Sequence, residues 1–178
     1  MRTPRAVVRI AVILVAFVVA GSGCVSGPTP RAWAASVCEA LGPWRAEIGS
    51  LTVRTQEQMT AATTPAQAKE NLVRLFGGAQ SASETARSLV ERAGVPDTDG
   101  GDAVAAGFLA SLTAVRDAYA KARDSIEKLA TTRPTEFYDG VASVVKVLDS
   151  EYGRSALDTT KLDSPELKQA FDEVPECH

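Results

Sequence analysis

The chain has 178 residues, of which 45% are hydrophobic and 23% charged, and its net charge is −3; these values are those of a globular protein with one compact domain. Removal of residues 1–23, for which the reasons follow, leaves 155 residues with 16 basic and 22 acidic side chains. Such an acidic body does not suit nucleic acid, because phosphate binding needs a clustered basic face.

The N-terminal segment has the pattern of a signal peptide. Arg2, Arg5 and Arg9 precede an unbroken apolar run of 11 residues, 10–20. As a helix this run is roughly 16 Å long, about half of what a membrane-spanning helix must cross. We therefore interpret residues 1–23 as a signal peptide rather than as an uncleaved membrane anchor.

Residues 21–24 read Gly-Ser-Gly-Cys and resemble the lipobox of bacterial lipoproteins. In that motif a small residue precedes a cysteine whose thiol receives a diacylglycerol before cleavage; Gly21 departs from it, since the motif has an aliphatic residue there. The resemblance implies that Cys24 is the lipid anchor and that residues 24–30 form a tether of at most about 20 Å. A competing cut after Ala20 by the ordinary signal peptidase would instead release a soluble secreted protein.

The body, residues 31–178, is predicted to be a single helical domain. In its first segment apolar residues recur at steps of three and four, as they do along one face of a helix. They are Trp33, Val37, Leu41, Trp44, Ile48 and Leu51. Pro43 predicts a kink or a short break, because proline removes a helix hydrogen bond. Residues 51–55 are the one place where a strand is an alternative, and both tryptophans are predicted to be core residues rather than ligand-binding ones.

A second helix is predicted to begin at a capping box, Thr64 to Gln67, and to stop at Gly94. Its predicted seam is Ala68, Leu72, Leu75, Ala79, Ala82, Ala86, Leu89 and Ala93. Gly77 and Gly78 lie in its middle, where they cost about 2 kcal/mol relative to two alanines and predict a bend.

Three further helices are predicted, one from near Asp102, one after Pro134 and a short one after Ser164. The apolar stripe of the third is Val104, Phe108, Leu112, Val115, Tyr119, Ala122, Ile126 and Leu129, and that of the fourth is Phe137, Val141, Val144, Leu148 and Tyr152. The second and third helices are nearly equal in length and joined by a short loop, which favours an antiparallel pair. The predicted fold is all-α, an up-down-up-down bundle of four main helices with a short C-terminal helix.

The cysteines fit this topology. The start of the first helix and the end of the last fall at the same end of such a bundle, which predicts a disulfide between Cys38 and Cys177. An exported chain with three cysteines has one thiol without a partner, and lipidation of Cys24 accounts for it.

The loop 97–102 contains three aspartates and is a candidate calcium-binding loop. The calcium-loop pattern is not met, because Gly101 and Phe108 stand where it requires ligands. We therefore predict that Asp97, Asp99 and Asp102 cap the third helix and offset its dipole. The one histidine, His178, leaves no imidazole pair for a metal, and no local catalytic motif is present. We predict no catalytic residue, no metal and no cofactor.

The export signal, the lipobox-like segment, the spacing from Trp33 to Cys38 and the C-terminal Pro-Glu-Cys together resemble small secreted lipoproteins of actinobacteria with helical bodies. The resemblance implies a position at the outer face of the cell membrane and supplies no active residues. Two functions remain open. One is a non-enzymatic envelope protein that binds a membrane or cell-wall partner, and the other is a carrier of an apolar small molecule or lipid between helices. An exposed apolar patch favours the first, and an enclosed pocket beside Gly77 and Gly78 favours the second.

Overall fold

The computed structural model describes residues 27–154 and 162–178. The helices are α1 (Pro30–Gln58), α2 (Pro65–Ala93), α3 (Gly101–Lys128), α4 (Pro134–Arg154) and α5 (Pro165–Glu173), and a 3-10 turn, Pro175–Cys177, follows. These two stretches contain no β-strand, so the all-α prediction is confirmed. The predicted signal peptide and Cys24 lie outside the described residues.

α1 is longer and more regular than the sequence predicted. It runs without interruption through Pro43 to Gln58, so of the two outcomes predicted at that proline, a kink or a short break, the break is wrong. Residues 51–55 are helical rather than extended. Pro43 and Glu39, whose carbonyl loses its helix partner, both lie on an exposed face. Water can therefore satisfy that carbonyl, which keeps the cost of an internal proline low.

α2 and α3 form the predicted antiparallel pair and make the most extensive helix packing in the described part of the chain, and α1 also packs on α2. The capping box at the start of α2 is confirmed, because the Thr64 side chain accepts from the Gln67 amide while Gln67 Oε1 accepts from the Thr64 amide. Gly78 allows α1 to approach closely, since a Cβ there would lie 2.8 Å from a methyl group of Leu51.

The core extends along α1, α2 and α3 and is closed at one end by α5. Trp33, Phe108 and Phe171 come from α1, α3 and α5, with ring centroids 5.4–5.9 Å apart. Trp33 is fully buried, and its indole nitrogen donates to the Gly94 carbonyl over 2.9 Å. This aromatic cluster holds the short C-terminal helix on the bundle, as α5 is too short to be stable alone.

α4 completes the up-down-up-down order but is attached on one side. It packs mainly on α3 and touches α2 slightly. Phe137 is the buried residue of α4, and Gly140 lets the helix approach α3 because Leu129 fills the space where a Cβ would lie. The predicted stripe residues Val141, Val144 and Leu148 are only partly buried. The fourth helix therefore keeps much of its apolar surface in contact with solvent.

Candidate functional site

A disulfide and an ion pair connect the C-terminal residues of the chain to the first part of α1. Cys38 and Cys177 form a disulfide with a Cα–Cα distance of 5.0 Å, across a sequence separation of 139. Arg31 and Glu173 face each other at the same end, 3.7 Å apart. The bond joins α1 to the 3-10 turn after α5, so these residues are structural rather than exposed reactive thiols.

The acidic loop before α3 does not cap the helix with its carboxylates, so this part of the prediction is wrong. The N-cap residue is Gly100, which adopts a left-handed conformation with φ 71° and makes no side-chain capping bond. The turn is closed by the Gly101 amide, which donates to the Thr98 carbonyl over 3.0 Å. Asp102 does lie in the first turn of α3, where the helix dipole favours a negative charge.

Both tryptophans are core residues, as predicted. Trp44 is 6% exposed, and its indole nitrogen donates to Ser83 Oγ rather than facing a ligand. Gly78 and Gly140 permit close packing, because Leu51 and Leu129 occupy the space where a Cβ would lie. An enclosed pocket beside Gly77 and Gly78 would have favoured the carrier function, but at Gly78 the side chain of Leu51 occupies that space.

An apolar concavity lies between α3 and α4. We call it the α3–α4 groove; its volume is about 220 Å³ and it is open to solvent. It is lined by Ala118, Lys121, Ala122, Ser125, Ser143, Val144, Val147, Leu148 and Glu151. Small alanines on α3 and branched side chains on α4 make its floor, so an apolar group fits it better than a polar one.

Lys121, Glu151 and Ser143, three polar residues that line the α3–α4 groove, are engaged within the protein. Lys121 Nζ lies 2.6 Å from Glu151 Oε1, and Ser143 Oγ donates to the Asp139 carbonyl over 3.0 Å. A charge pair across the two helices ties α4 to α3 at the rim. The chemistry offered to a ligand is therefore mostly apolar contact.

The opposite flank of α4 carries a second apolar feature, which we call the outer stripe: Tyr138, Val145 and Tyr152. These residues are seven apart, so they align along one side of the helix. Their exposures are 42%, 37% and 37%. Tyr152 contacts Tyr119 edge-on, with ring centroids 6.4 Å apart, and burial raises the pKa of Tyr119 to about 12.

A polar cluster lies on the α2–α3 surface. Glu84 accepts hydrogen bonds from Arg87 and Arg116, which lower the pKa of Glu84 to about 2. Arg116 also pairs with Asp117, and Arg123 pairs with Asp124. Because each guanidinium faces a carboxylate, this cluster ties α2 to α3 rather than presenting a positive surface for an anion.

Within 27–154 and 162–178, no group of three or more acidic, histidine or cysteine side chains is placed to hold a metal ion. Every buried side-chain nitrogen or oxygen in the described part of the chain has a hydrogen-bond partner. No helix in that part is long and apolar enough to cross a membrane.

Comparison with protein-family models, with curated proteins and with solved structures found no match to this chain. The candidate functional site is therefore identified from this structure alone. It is the α4 surface, which consists of the α3–α4 groove and the outer stripe. Sequence reasoning identified Val144, Leu148 and Tyr152 as one helix face but missed Val145 and Val147. The available signal was the excess of apolar residues on α4, which is more than one buried face of a helix needs.

Proposed function

We propose that the protein is a lipid-anchored envelope protein at the outer face of the cell membrane, which acts without turnover by binding a partner through the α4 surface. The observation that carries the proposal is the exposure of apolar side chains on both flanks of α4. Val147, on the groove flank, is 48% exposed, and Tyr138, on the outer stripe, is 42% exposed. An exposed apolar patch on a protein domain usually marks an interaction site, and α4 exposes apolar side chains on each flank.

The partner supported best is an envelope protein or cell-wall component with an apolar contact surface. Ligand pockets for small molecules usually have volumes of about 300–1,000 Å³ and enclose most of the ligand. The α3–α4 groove is smaller, about 220 Å³, and open. A flat or ridged partner that covers the groove and its rim gains more contact than a molecule enclosed within it.

The second candidate is the carrier of an apolar small molecule or lipid. It is favoured by the lining of the groove, where Ala118, Ala122 and Val144 offer no polar contact. A single acyl chain could lie along such a trough with its head group near Lys121, although Glu151 already pairs with that ammonium group. The two candidate functions differ in the molecule that contacts Val147, which is a lipid for the carrier and a protein or wall component for the first candidate.

Site-specific photocrosslinking separates the candidates. A photoreactive residue replaces Val145 on the outer stripe, Val147 in the groove, or Val53 on α1 as a matched control. Val53 is the same residue type and is 53% exposed. We expect one defined adduct from α4 positions in intact cells and none from Val53, and the charged variant Val145→Lys should reduce the adduct formed at Val147.

The identity of the adduct decides between the functions. A protein or wall adduct at Val145 and Val147 supports the partner-binding function, whereas a lipid adduct confined to Val147 supports the carrier. Equal labelling of Val53 and the α4 positions contradicts both. Anchoring is tested separately by mass analysis of the mature N-terminus and by a Cys24→Ala variant, which we expect to be released; a native chain without acyl mass would instead be the soluble secreted protein.

A further inference from the structure

The beginning of the described chain is held against the loop between α2 and α3. The Pro28 carbonyl accepts a hydrogen bond of 2.9 Å from the Asp97 amide. A Cβ on Gly27 would lie 2.2 Å from the Val95 carbonyl oxygen, so the backbone of Gly27 is itself in contact with this loop. Residues 27–30 belong to the predicted tether, and these contacts attach them to the bundle.

This attachment shortens the part of the tether that can separate the bundle from the lipid on Cys24. Three residue steps separate Cys24 from Gly27. Fully extended, they span at most about 11 Å. A lipid attached to Cys24 therefore keeps Gly27, and the loop that Gly27 contacts, within about 11 Å of the surface of the bilayer.

Gly27 marks one end of the bundle, which we call the anchor end. α1 and α3 begin there and α2 ends there, and Thr98 of the α2–α3 loop hydrogen-bonds Glu166 at the start of α5. The far end carries the α1–α2 and α3–α4 connections, residues 59–64 and 129–133. Because a helix rises 1.5 Å per residue, the length of α3 separates the two ends by about 40 Å.

The surface of the anchor end suits close approach to lipid without deep insertion. Val95, which contacts Gly27 through its backbone, is 49% exposed and offers an apolar side chain. Asp97 and Asp99 follow on the same loop and are exposed. Carboxylates resist transfer into hydrocarbon and are repelled by anionic head groups over about one Debye length, roughly 8–10 Å.

We propose that the anchor end is the membrane-facing surface of the protein, with the lipid bilayer as its partner, and that the bundle stands away from the bilayer on this end. The inference rests on the proposed lipidation of Cys24. Groove residues Ala118 to Ser125 lie 17–24 residues beyond the start of α3, about 25–36 Å along the helix. The α3–α4 groove then lies about 25–36 Å from the anchor end on the wall side of the membrane, and its partner is a wall-side component rather than a lipid still within the bilayer.

The test uses the full chain, isolated from the exporting cell with its lipid and placed in phosphatidylcholine vesicles. With Cys24 lipidated and Cys38 bonded to Cys177, a single introduced cysteine is the unique free thiol. Val95→Cys labels the anchor end and Ala62→Cys labels the exposed far-end loop. Each carries an environment-sensitive fluorophore, and the vesicles contain a lipid with a quencher on its head group.

We expect quenching several-fold stronger at position 95 than at position 62, and intermediate or weak quenching for a Ser143→Cys label at the groove. Equal quenching at 95 and 62 would show a bundle that lies flat on the membrane, and stronger quenching at 62 an inverted one; either overturns the inference while leaving anchoring intact. A chain that lacks acyl mass and does not float with vesicles refutes the proposed function, and this inference with it.

Discussion

Trp44 on α1 donates a buried hydrogen bond of 3.0 Å from its indole nitrogen to Ser83 Oγ on α2. Ser83 is fully buried and in turn donates to the Ala79 carbonyl over 2.8 Å. The single hydroxyl therefore satisfies the indole and keeps a hydrogen-bond partner of its own. This relationship fixes the register of α1 against α2 at a point where apolar packing alone would allow sliding.

Replacement of Ser83 by alanine leaves the indole N–H buried without an acceptor. We expect Ser83→Ala to lower the free energy of unfolding by about 1–3 kcal/mol, the usual penalty for an unsatisfied buried donor. Urea denaturation followed by circular dichroism measures it. Ser81→Ala is the matched control on the same helix, because the Ser81 side chain is exposed and its hydroxyl donates to the Gly77 carbonyl of its own helix over 3.0 Å. This variant should change stability little.

A double-mutant cycle with Trp44→Phe sharpens this result. Removing both the indole N–H and the hydroxyl should cost less than the sum of the two single losses, because no unpaired donor remains. Strict additivity would show that the hydrogen bond carries no coupling energy.

The disulfide should matter most for the C-terminal segment. Closing a loop across a sequence separation of 139 stabilises the fold by about 5 kcal/mol in the chain-entropy description, and the loss of a native disulfide typically costs about 2–5 kcal/mol. Reductant, or the double variant Cys38→Ala/Cys177→Ala, should lower the melting temperature and accelerate amide exchange first in α5 around Phe171. The same denaturation midpoint for the oxidised and reduced chain would contradict this prediction.

Stability should depend on acid through Glu84. Hydrogen bonds from Arg87 and Arg116 lower the pKa of Glu84 from 4.5 to about 2 in the folded protein. A lowered pKa means that the carboxylate stabilises the fold above the unfolded value of 4.5, and that this contribution is lost as the pH falls through about 2.

The Glu84→Gln variant should thus be less stable than the native chain at neutral pH and approach it in stability near pH 2. The measurement is the urea midpoint of both proteins across this range. Glu91→Gln is a suitable comparison, because Glu91 touches the edge of the same cluster through Arg87 over 3.1 Å. A constant difference between Glu84→Gln and the native chain at every pH would overturn the assignment.

Helix periodicity predicted much of this fold. In α3, the predicted residues Phe108, Leu112, Val115, Tyr119 and Ile126 are all buried. α2 was harder, because its alanines make several faces look alike. The structure buries Phe76, Ser83 and Val90 where the prediction placed the preceding residues Leu75, Ala82 and Leu89. A serine in the core is not recognisable from its own residue type, since its burial depends on Trp44 across the helix interface.

The α4 surface shows the other limit. Spacing identifies the apolar face of a helix, but it does not show whether another element covers that face. Val141, Val144 and Leu148 were predicted to be core residues and are only partly buried, since α4 packs mainly on α3. Likewise the attachment of Gly27 to Val95 is a contact between distant segments, which no local pattern encodes.

The adjacent glycines of α2 should respond differently to alanine. In a helix interior, alanine is favoured over glycine by about 1 kcal/mol. A Cβ at Gly77 meets Arg123 Cδ at 3.7 Å, an ordinary contact, so Gly77→Ala should raise the free energy of unfolding by about 0.5–1 kcal/mol. A Cβ at Gly78 would lie 2.8 and 2.9 Å from the two methyl groups of Leu51. Leu51 must therefore rotate or α1 must move, and Gly78→Ala should gain less or lose stability. Chemical denaturation of the two variants under the same conditions gives the comparison. Equal gains in the free energy of unfolding at both positions would show that Leu51 does not constrain the α1–α2 approach. A loss for Gly77→Ala would show that α2 needs a glycine there to bend.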